Sequence, residues 1–506
     1  MDIQYTHFFV ITEQFWGCAE ISISGDPVTP TSRAPVPAPP EPTPLAPLPT
    51  PPAPIPQTPE VPAPTSPCGG GSVGNGVCSN SLYCCSEWGY CGTSAAYCNG
   101  NPSPTPPAPI PQTPDVPVPV PEPPIPQTPD LPSVIDFPDY ADGDCSGIDD
   151  VMTVNFGYYQ SWAVWRQEGC NPVLPEDIDV TGNGYSHLAY TFASINANYE
   201  LEPWAGNYGE EVPQYQAFNN LKQMHPGLKT VIAVGGWTFN DPGATETRFS
   251  DTANTAGNRA VFATSCVDFC REYGFDGVDL DWEYPGDTSR GGKAADKTNY
   301  GLLVQAIRAA FDAAPEDFEL SMAIPVADWR LEEGYDLPAL AQGLDFFNLM
   351  AYDIHGVWDN PKVVGANTDM PFIFDSVEYF LDAGVSSSKL VFGLAAYGRT
   401  YNLVDTNCAT AGCAFSSAAL GGCAGEAGFM PYFTIDEYIQ NGSYNSLGFN
   451  PRSGTMELVI NNNVFISYDS VETMEIKHDF ASKACFRGFM WWAVDMKKEP
   501  IVLGTT

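Results

Sequence analysis

From about residue 150 onward, short apolar runs of strand length alternate with stretches whose apolar residues recur at helical spacing. The runs fall at 154–159, 187–193, 230–234, 277–282, 320–324, 346–352, 390–395 and 488–493. Apolar on both faces and separated by helices, they read as repeating β/α units around a parallel sheet. Eight such strands over roughly 350 residues predict a (β/α)8 TIM barrel with insertions. The rhythm breaks between about 403 and 466, where polar and apolar residues alternate around Gly421-Gly422-Cys423. A small α+β insertion before the last strand is expected there.

The first quarter of the chain has no such pattern. Of the 49 prolines, 34 lie in 27–67 and 102–138, and the hexapeptide Pro-Ile-Pro-Gln-Thr-Pro recurs at 54–59, 109–114 and 124–129. Proline at this density gives a stiff polyproline-II spacer with no core. At about 3 Å per residue the second tract spans on the order of 100 Å. Between the tracts, six of the 15 cysteines fall within 68–98, a stretch far too short for an apolar core. That density predicts a disulfide-stapled module rather than a zinc site, which would want nearby His or two separated C-x-x-C pairs. The expected domains are an unassigned 1–26, a linker at 27–67, the module at 68–100, a linker at 101–145, and the barrel at 150–500 with its insertion at about 403–466.

Charge narrows the partners. The chain carries 61 Asp+Glu against 21 Lys+Arg, a formal net charge of -40. Nucleic acid and anionic membrane surfaces demand basic patches, so neither is expected; a neutral polymer or small neutral ligand fits. No apolar run reaches the length of a membrane span. Residues 1–26 show no clear signal peptide: there is no basic start, and Phe8-Phe9-Val10-Ile11 is too short for a hydrophobic region. An incomplete or misassigned N-terminus is the expected reason, because the cysteines point to an oxidising, extracellular setting.

One strand carries charge where charge is costly. In Phe275-Asp276-Gly277-Val278-Asp279-Leu280-Asp281-Trp282-Glu283-Tyr284-Pro285 the carboxylates Asp279, Asp281 and Glu283 stand at i, i+2 and i+4. A strand turns alternate side chains to one face, so all three line up. Close carboxylates force one pKa upward, and a carboxylic acid held protonated near neutral pH is what glycosidic cleavage needs. Glu283 is nearest the C-terminal end, where barrels of this kind do chemistry, and is the natural general acid. A hard cation is the other chemistry three carboxylates support, but one strand gives poor coordination geometry, so no metal and no cofactor is expected. Asp276 is out of phase and reads as structural.

These residues resemble a family. Asp276-x-x-Asp279-x-Asp281-x-Glu283 is similar to the D-x-x-D-x-D-x-E signature of family 18 glycoside hydrolases, the chitinases. Lys229 to Trp237 resembles the S-x-G-G strand, with Ala233 where Ser is common. Met350-Ala351-Tyr352-Asp353, Tyr397-Gly398-Arg399 and Met490-Trp491-Trp492-Ala493 resemble the sixth, seventh and eighth strands, in the family order over about 153–497. The resemblance is closest to fungal-type members that carry chitin-binding modules. It implies a retaining, substrate-assisted cleavage of β-1,4-linked N-acetylglucosamine polymers. Glu283 would protonate the glycosidic oxygen while the substrate's own acetamide attacks C1. Asp281 would orient that acetamide, Asp279 would share a proton with Asp281 and lift the pKa of Glu283, and Tyr352 would hydrogen-bond the acetamide. Trp492 would floor the sugar site; Asp353, Arg399, Trp237, Trp358 and Tyr158 would be further substrate contacts.

The cysteine module resembles a hevein-type chitin-binding module through Cys84-Cys85-Ser86-Glu87-Trp88-Gly89-Tyr90-Cys91-Gly92. That likeness implies sugar contacts from Ser86, Trp88, Tyr90 and Tyr97, and the pairs Cys68–Cys85, Cys78–Cys91 and Cys84–Cys98. Flat rings stacking on the apolar face of a sugar give the physical basis. Outside the module, pairing among Cys408, Cys413 and Cys423 is expected, and Cys266 and Cys270, one helical turn apart, are expected either to pair or to be buried thiols. Trp491 should face outward, opposite in parity to Trp492, and His355 reads as structural. The sum is a secreted, monomeric chitinase acting on chitin or chitooligosaccharide. The competing readings are a chitin-binding lectin on a silent barrel and an endo-β-N-acetylglucosaminidase acting on glycoproteins.

Overall fold

The computed structural model describes residues 135–504 except 168, 205–210 and 425, together with the backbone of 84–85 and 91–92. The chain divides into two units, residues 1–118 and 119–506. In the first, Cys84–Cys85 and Cys91–Gly92 form an antiparallel ladder that pairs Cys84 with Gly92 and Cys85 with Cys91. The three expected cystine pairs and the sugar-contact residues of the module lie outside the described residues.

The second unit is a closed parallel barrel. Its strands are β1 (Val154–Gln160), β2 (His187–Ile195), β3 (Lys229–Gly235), β4 (Gly277–Asp281), β5 (Glu319–Pro325), β6 (Phe346–Met350), β7 (Leu390–Ala395) and β8 (Gly488–Trp492). Each pairs with the next in sequence, and β8 pairs with β1 to close the ring. Strand parity sorts the core into two. Phe156, Tyr158, Ala233, Phe346, Val391 and Met490 fill the interior. Tyr159, Leu188, Ile232, Val278, Leu280 and Trp491 face the surrounding helices, chief among them Glu211–Met224, Ala256–Tyr273, Asp296–Ala313 and Met370–Asp382. Trp491 thus points outward, its indole N–H donating to Asn155 Oδ1 at 3.2 Å.

The insertion is an antiparallel sheet built on Tyr397–Leu403, Val464–Tyr468, Thr455–Ile460 and Ser446–Asn450, with helix Tyr432–Gln440 against it. It starts earlier than the sequence suggests. Ala396 N–H bonds the carbonyl of Trp492 at the barrel rim, and the next residue already enters the insertion sheet. Tyr397 and Arg399 therefore belong to the insertion, not to the seventh barrel strand, which ends at Ala395. Upstream of β1, Phe137 and Tyr140 of the segment read as linker pack on Phe480 of the barrel.

Three disulfides join described residues: Cys145–Cys485, Cys170–Cys423 and Cys408–Cys413. The expected pairing within the insertion is met by Cys408–Cys413, while Cys423 reaches instead to the segment after β1. Cys266 and Cys270 are buried free thiols. Among the described residues no helix is long and apolar enough to cross a membrane.

Candidate active site

The carboxylate column runs up the inside of β4. Asp279, the deepest, is fully buried and satisfied: Tyr158 Oη donates to it at 2.9 Å, Ser321 Oγ at 2.6 Å and Asn348 Nδ2 at 3.1 Å. Asn348 also donates to the Tyr158 hydroxyl at 3.0 Å, closing a ring of donors around the carboxylate. Burial lifts Asp279 to about 6 even against these bonds. Asp281, one pleat higher, is 4% exposed, and its Oδ1 finds no hydrogen-bond partner among the described residues. Burial, then the charges of Glu283 and Asp279, push its pKa well up.

Glu283 lies two residues past the end of β4, on the turn that caps the strand. Burial is the main force raising its pKa, to about 7; the Tyr284 side chain and the charges of Arg290 and Arg330 oppose it, and Asp353 adds to it. Asp353 on the facing loop adds to the upward shift of Glu283, and within the column the charges of Glu283 and Asp281 oppose each other. Asp279 lies deeper, ringed by donors, and acts on Asp281.

Glycines let the neighbouring strand come this close. Gly235 and Gly236 at the end of β3 have φ of +107° and +83°. A Cβ on Gly235 would stand 2.1 Å from the Asp281 carbonyl, and one on Gly236 2.5 Å from the Phe192 ring. Their left-handed turn then delivers Trp237 to the rim, 54% exposed.

Around the column the rim is aromatic. The rings of Trp162, Phe192 and Trp492 stack in sequence, with centroids 6.2 and 6.0 Å apart, and Trp492 also leans on Tyr158 at 5.6 Å. Tyr158 itself is buried beneath, its hydroxyl committed to Asp279. Tyr352 is buried just beyond β6, its hydroxyl 4.0 Å from Met490 Sδ. Asp353, at φ +58°, is gripped by Arg399 Nε at 2.7 Å and Nη2 at 2.6 Å and by the Tyr397 hydroxyl at 2.6 Å. The Arg399 guanidinium lies 4.9 Å over Trp358, which is exposed.

The remaining residues sort as follows. Asp276 sits on the opposite end of β4, accepting from Lys222 and from the Thr230 N–H at 2.8 Å each. His355 donates to Asp359 at 2.8 Å, and hydrogen bonds to Asp359 and Asp369 hold it up to about 9. Among the described residues no group of His, Cys, Asp and Glu converges in a way that could hold a metal ion.

Sequence reasoning passed over Ser321, Asn348, Phe192 and Tyr284. The signal for the first two was available: each is a polar residue inside an apolar run, at the parity that faces the barrel interior. Phe192 and Tyr284 carry no such mark.

The family model for the glycosyl hydrolases of family 18 matches residues 154–497, from the first residue of β1 to just past β8. The chain belongs to this family. An endochitinase of Manduca sexta is 30% identical over 355 residues, 67% of this chain and 63% of the relative's own length. Among solved structures, that of Ostrinia furnacalis Group IV chitinase in complex with allosamidin superposes with a TM-score of 0.62 at 28% identity, covering 68% of this chain and 92% of the other. Human YKL-39, described as a pseudo-chitinase with retained chitooligosaccharide binding, superposes at 0.60 with 27% identity, covering 68% and 93%. Proteins similar to this chain thus include both chitinases and a pseudo-chitinase that keeps binding, so the residues of the column have to decide where this chain falls.

Proposed function

We propose that this protein is a secreted chitinase that hydrolyses β-1,4 linkages between N-acetylglucosamine units by a retaining, substrate-assisted mechanism. One observation carries the reading: Glu283 is present, buried, and held to about 7, so it carries a proton to give at mildly acidic to neutral pH. Glu283 donates that proton to the glycosidic oxygen as the bond to C1 breaks. The carbonyl oxygen of the sugar's own acetamide attacks C1 from the other face, giving an oxazolinium ion. Asp281, with Oδ1 uncommitted, accepts the acetamide N–H and balances the positive charge. The Glu283 carboxylate then takes a proton from the water that opens the ring, and configuration is retained. Tyr352 donates to the acetamide oxygen, and Trp492 supplies the apolar floor, with Asp353, Arg399, Trp237 and Trp358 as flanking contacts. Asp279 stays in its ring of donors and sets the charge state of Asp281.

The same reading extends to the rest of the chain. The module at 68–100 holds chitin through Ser86, Trp88, Tyr90 and Tyr97, and the proline tracts tether it, raising the local concentration of sites without adding active-site contacts. Oxidised cysteines in the barrel support an extracellular setting.

Activity on colloidal chitin and on an N-glycoprotein, wild type beside Glu283→Gln, tests this. Soluble oligosaccharides from chitin, lost in the variant, are expected. A wild type that binds chitin without cutting it would favour the lectin reading, and preference for the glycoprotein would favour the endoglucosaminidase.

A further inference from the structure

Among the described residues, Arg290 is the cation that touches both the turn bearing Glu283 and Trp237, the rim aromatic after the preceding strand β3. Its Nε donates to the backbone carbonyl of Glu283 at 2.6 Å. Its Nη2 donates to the backbone carbonyl of Trp237, and its guanidinium carbon stands 3.8 Å over the Trp237 ring. The side chain is only 12% exposed, so this is a fixed cross-link and not a mobile surface contact. Its own backbone is pinned: the Arg290 N–H bonds the Asp287 carbonyl at 3.0 Å, and Asp287 is held by Arg330 at 2.6 Å. The guanidinium covers one face of Trp237, while Trp237 remains 54% exposed. A sugar stacking on the open face therefore presses on a ring whose far side is bolted to the acid's own peptide.

We infer that Arg290 is a positioning residue that couples occupation of Trp237 by a sugar to the placement of Glu283, so that oligomers long enough to cover Trp237 are cleaved more efficiently than those that are not. The coupling needs a planar fork that makes two carbonyl bonds and a stacking contact at once; a lysine supplies only the charge. The inference rests on the reading of Glu283 as the acid. Arg290's charge also opposes the upward shift of Glu283, alongside Arg330 and Tyr284 and against Asp353, so charge and geometry can be separated by the pH profile.

The test uses the full chain with Arg290→Lys, Arg290→Ala and Trp237→Ala, on N-acetylglucosamine oligomers of two lengths. In Arg290→Lys, kcat on the longer oligomer is expected to fall about 10- to 100-fold, while the alkaline limb of the pH profile stays at the wild-type position. In Arg290→Ala the same loss is expected with the limb moved to higher pH. The Arg290→Ala and Trp237→Ala losses should not multiply in the double variant, because each breaks the same link. Binding of the longer oligomer is measured in the Glu283→Gln background, where turnover is removed, and should weaken about threefold to tenfold in Arg290→Lys. Wild-type kcat and binding in Arg290→Lys, or losses that multiply, would overturn the proposal. If the parent cleaves no chitin, the acid reading fails, and the binding arm alone decides whether Arg290 sets Trp237.

Discussion

Two buried carboxylates in this molecule have opposite surroundings. Asp469, where the insertion meets the barrel, accepts from Lys477 Nζ at 2.5 Å, Thr473 Oγ1 at 2.8 Å and Thr368 Oγ1 at 2.7 Å. Lys477 adds a bond to the Gly454 carbonyl at 2.8 Å. Every strong demand there is met from within, which is how a structural buried charge is kept tolerable. Asp281 is nearly as deep, yet among the described residues one of its oxygens has no partner, and the charges of two more carboxylates act on it. Folding alone gives no reason to keep such a group. The difference teaches that burial does not distinguish structural from functional charge; the completeness of the local compensation does.

That comparison can be broken at several points. The largest effect should come from Glu283→Gln, which removes the proton donor: kcat on chitooligosaccharide is expected to fall about 100- to 10,000-fold, while stability at neutral pH is kept or raised, because a carboxyl held above its ordinary 4.5 costs stability there. Next is Lys477→Met, which strands Asp469 and should cost about 3–5 kcal/mol in denaturant unfolding, with turnover per folded molecule unchanged. Asp281→Asn should do the reverse, lowering turnover while adding about 1–2 kcal/mol of stability at neutral pH. The sign follows from linkage. Asp281 is held above its ordinary 3.8 in the fold, so the wild type loses stability as pH rises from there toward the folded value. The gain from Asn should therefore vanish below about 3.8, and unfolding measured across pH checks it. The smallest effect on binding and stability is expected from Trp237→Ala, an exposed ring, weakening oligosaccharide binding by about 0.5–1.5 kcal/mol without changing the melting temperature; its kcat loss is the one it shares with Arg290.

Much of this was legible in the chain. All eight barrel strands stood out as apolar runs, because a strand buried on both faces leaves no room for polar residues; only their ends shifted, by a residue or two. The carboxylate column was legible for the same reason in reverse, as charge inside such a run. What escaped depends on contacts distant in sequence. The insertion begins one residue after β7, and no local signal marks the change; its edge is set by Val464–Tyr468 pairing back onto Tyr397–Leu403. The Cys170–Cys423 bridge spans 253 residues. The cation over Trp237 comes from a different loop, and a charge outside the column that adds to the shift of Glu283 comes from Asp353, beyond β6. Spacing within one strand could not reveal either.

The central claim is that burial makes Glu283 a proton donor poised near neutrality. The pH dependence of kcat/KM on a soluble chitooligosaccharide tests it most directly. The acid must be protonated to act, so the rate should fall as pH rises through about 7, and this limb should be absent from the residual activity of Glu283→Gln. A wild-type limb near 4.5, the ordinary value for a glutamate, would contradict the account.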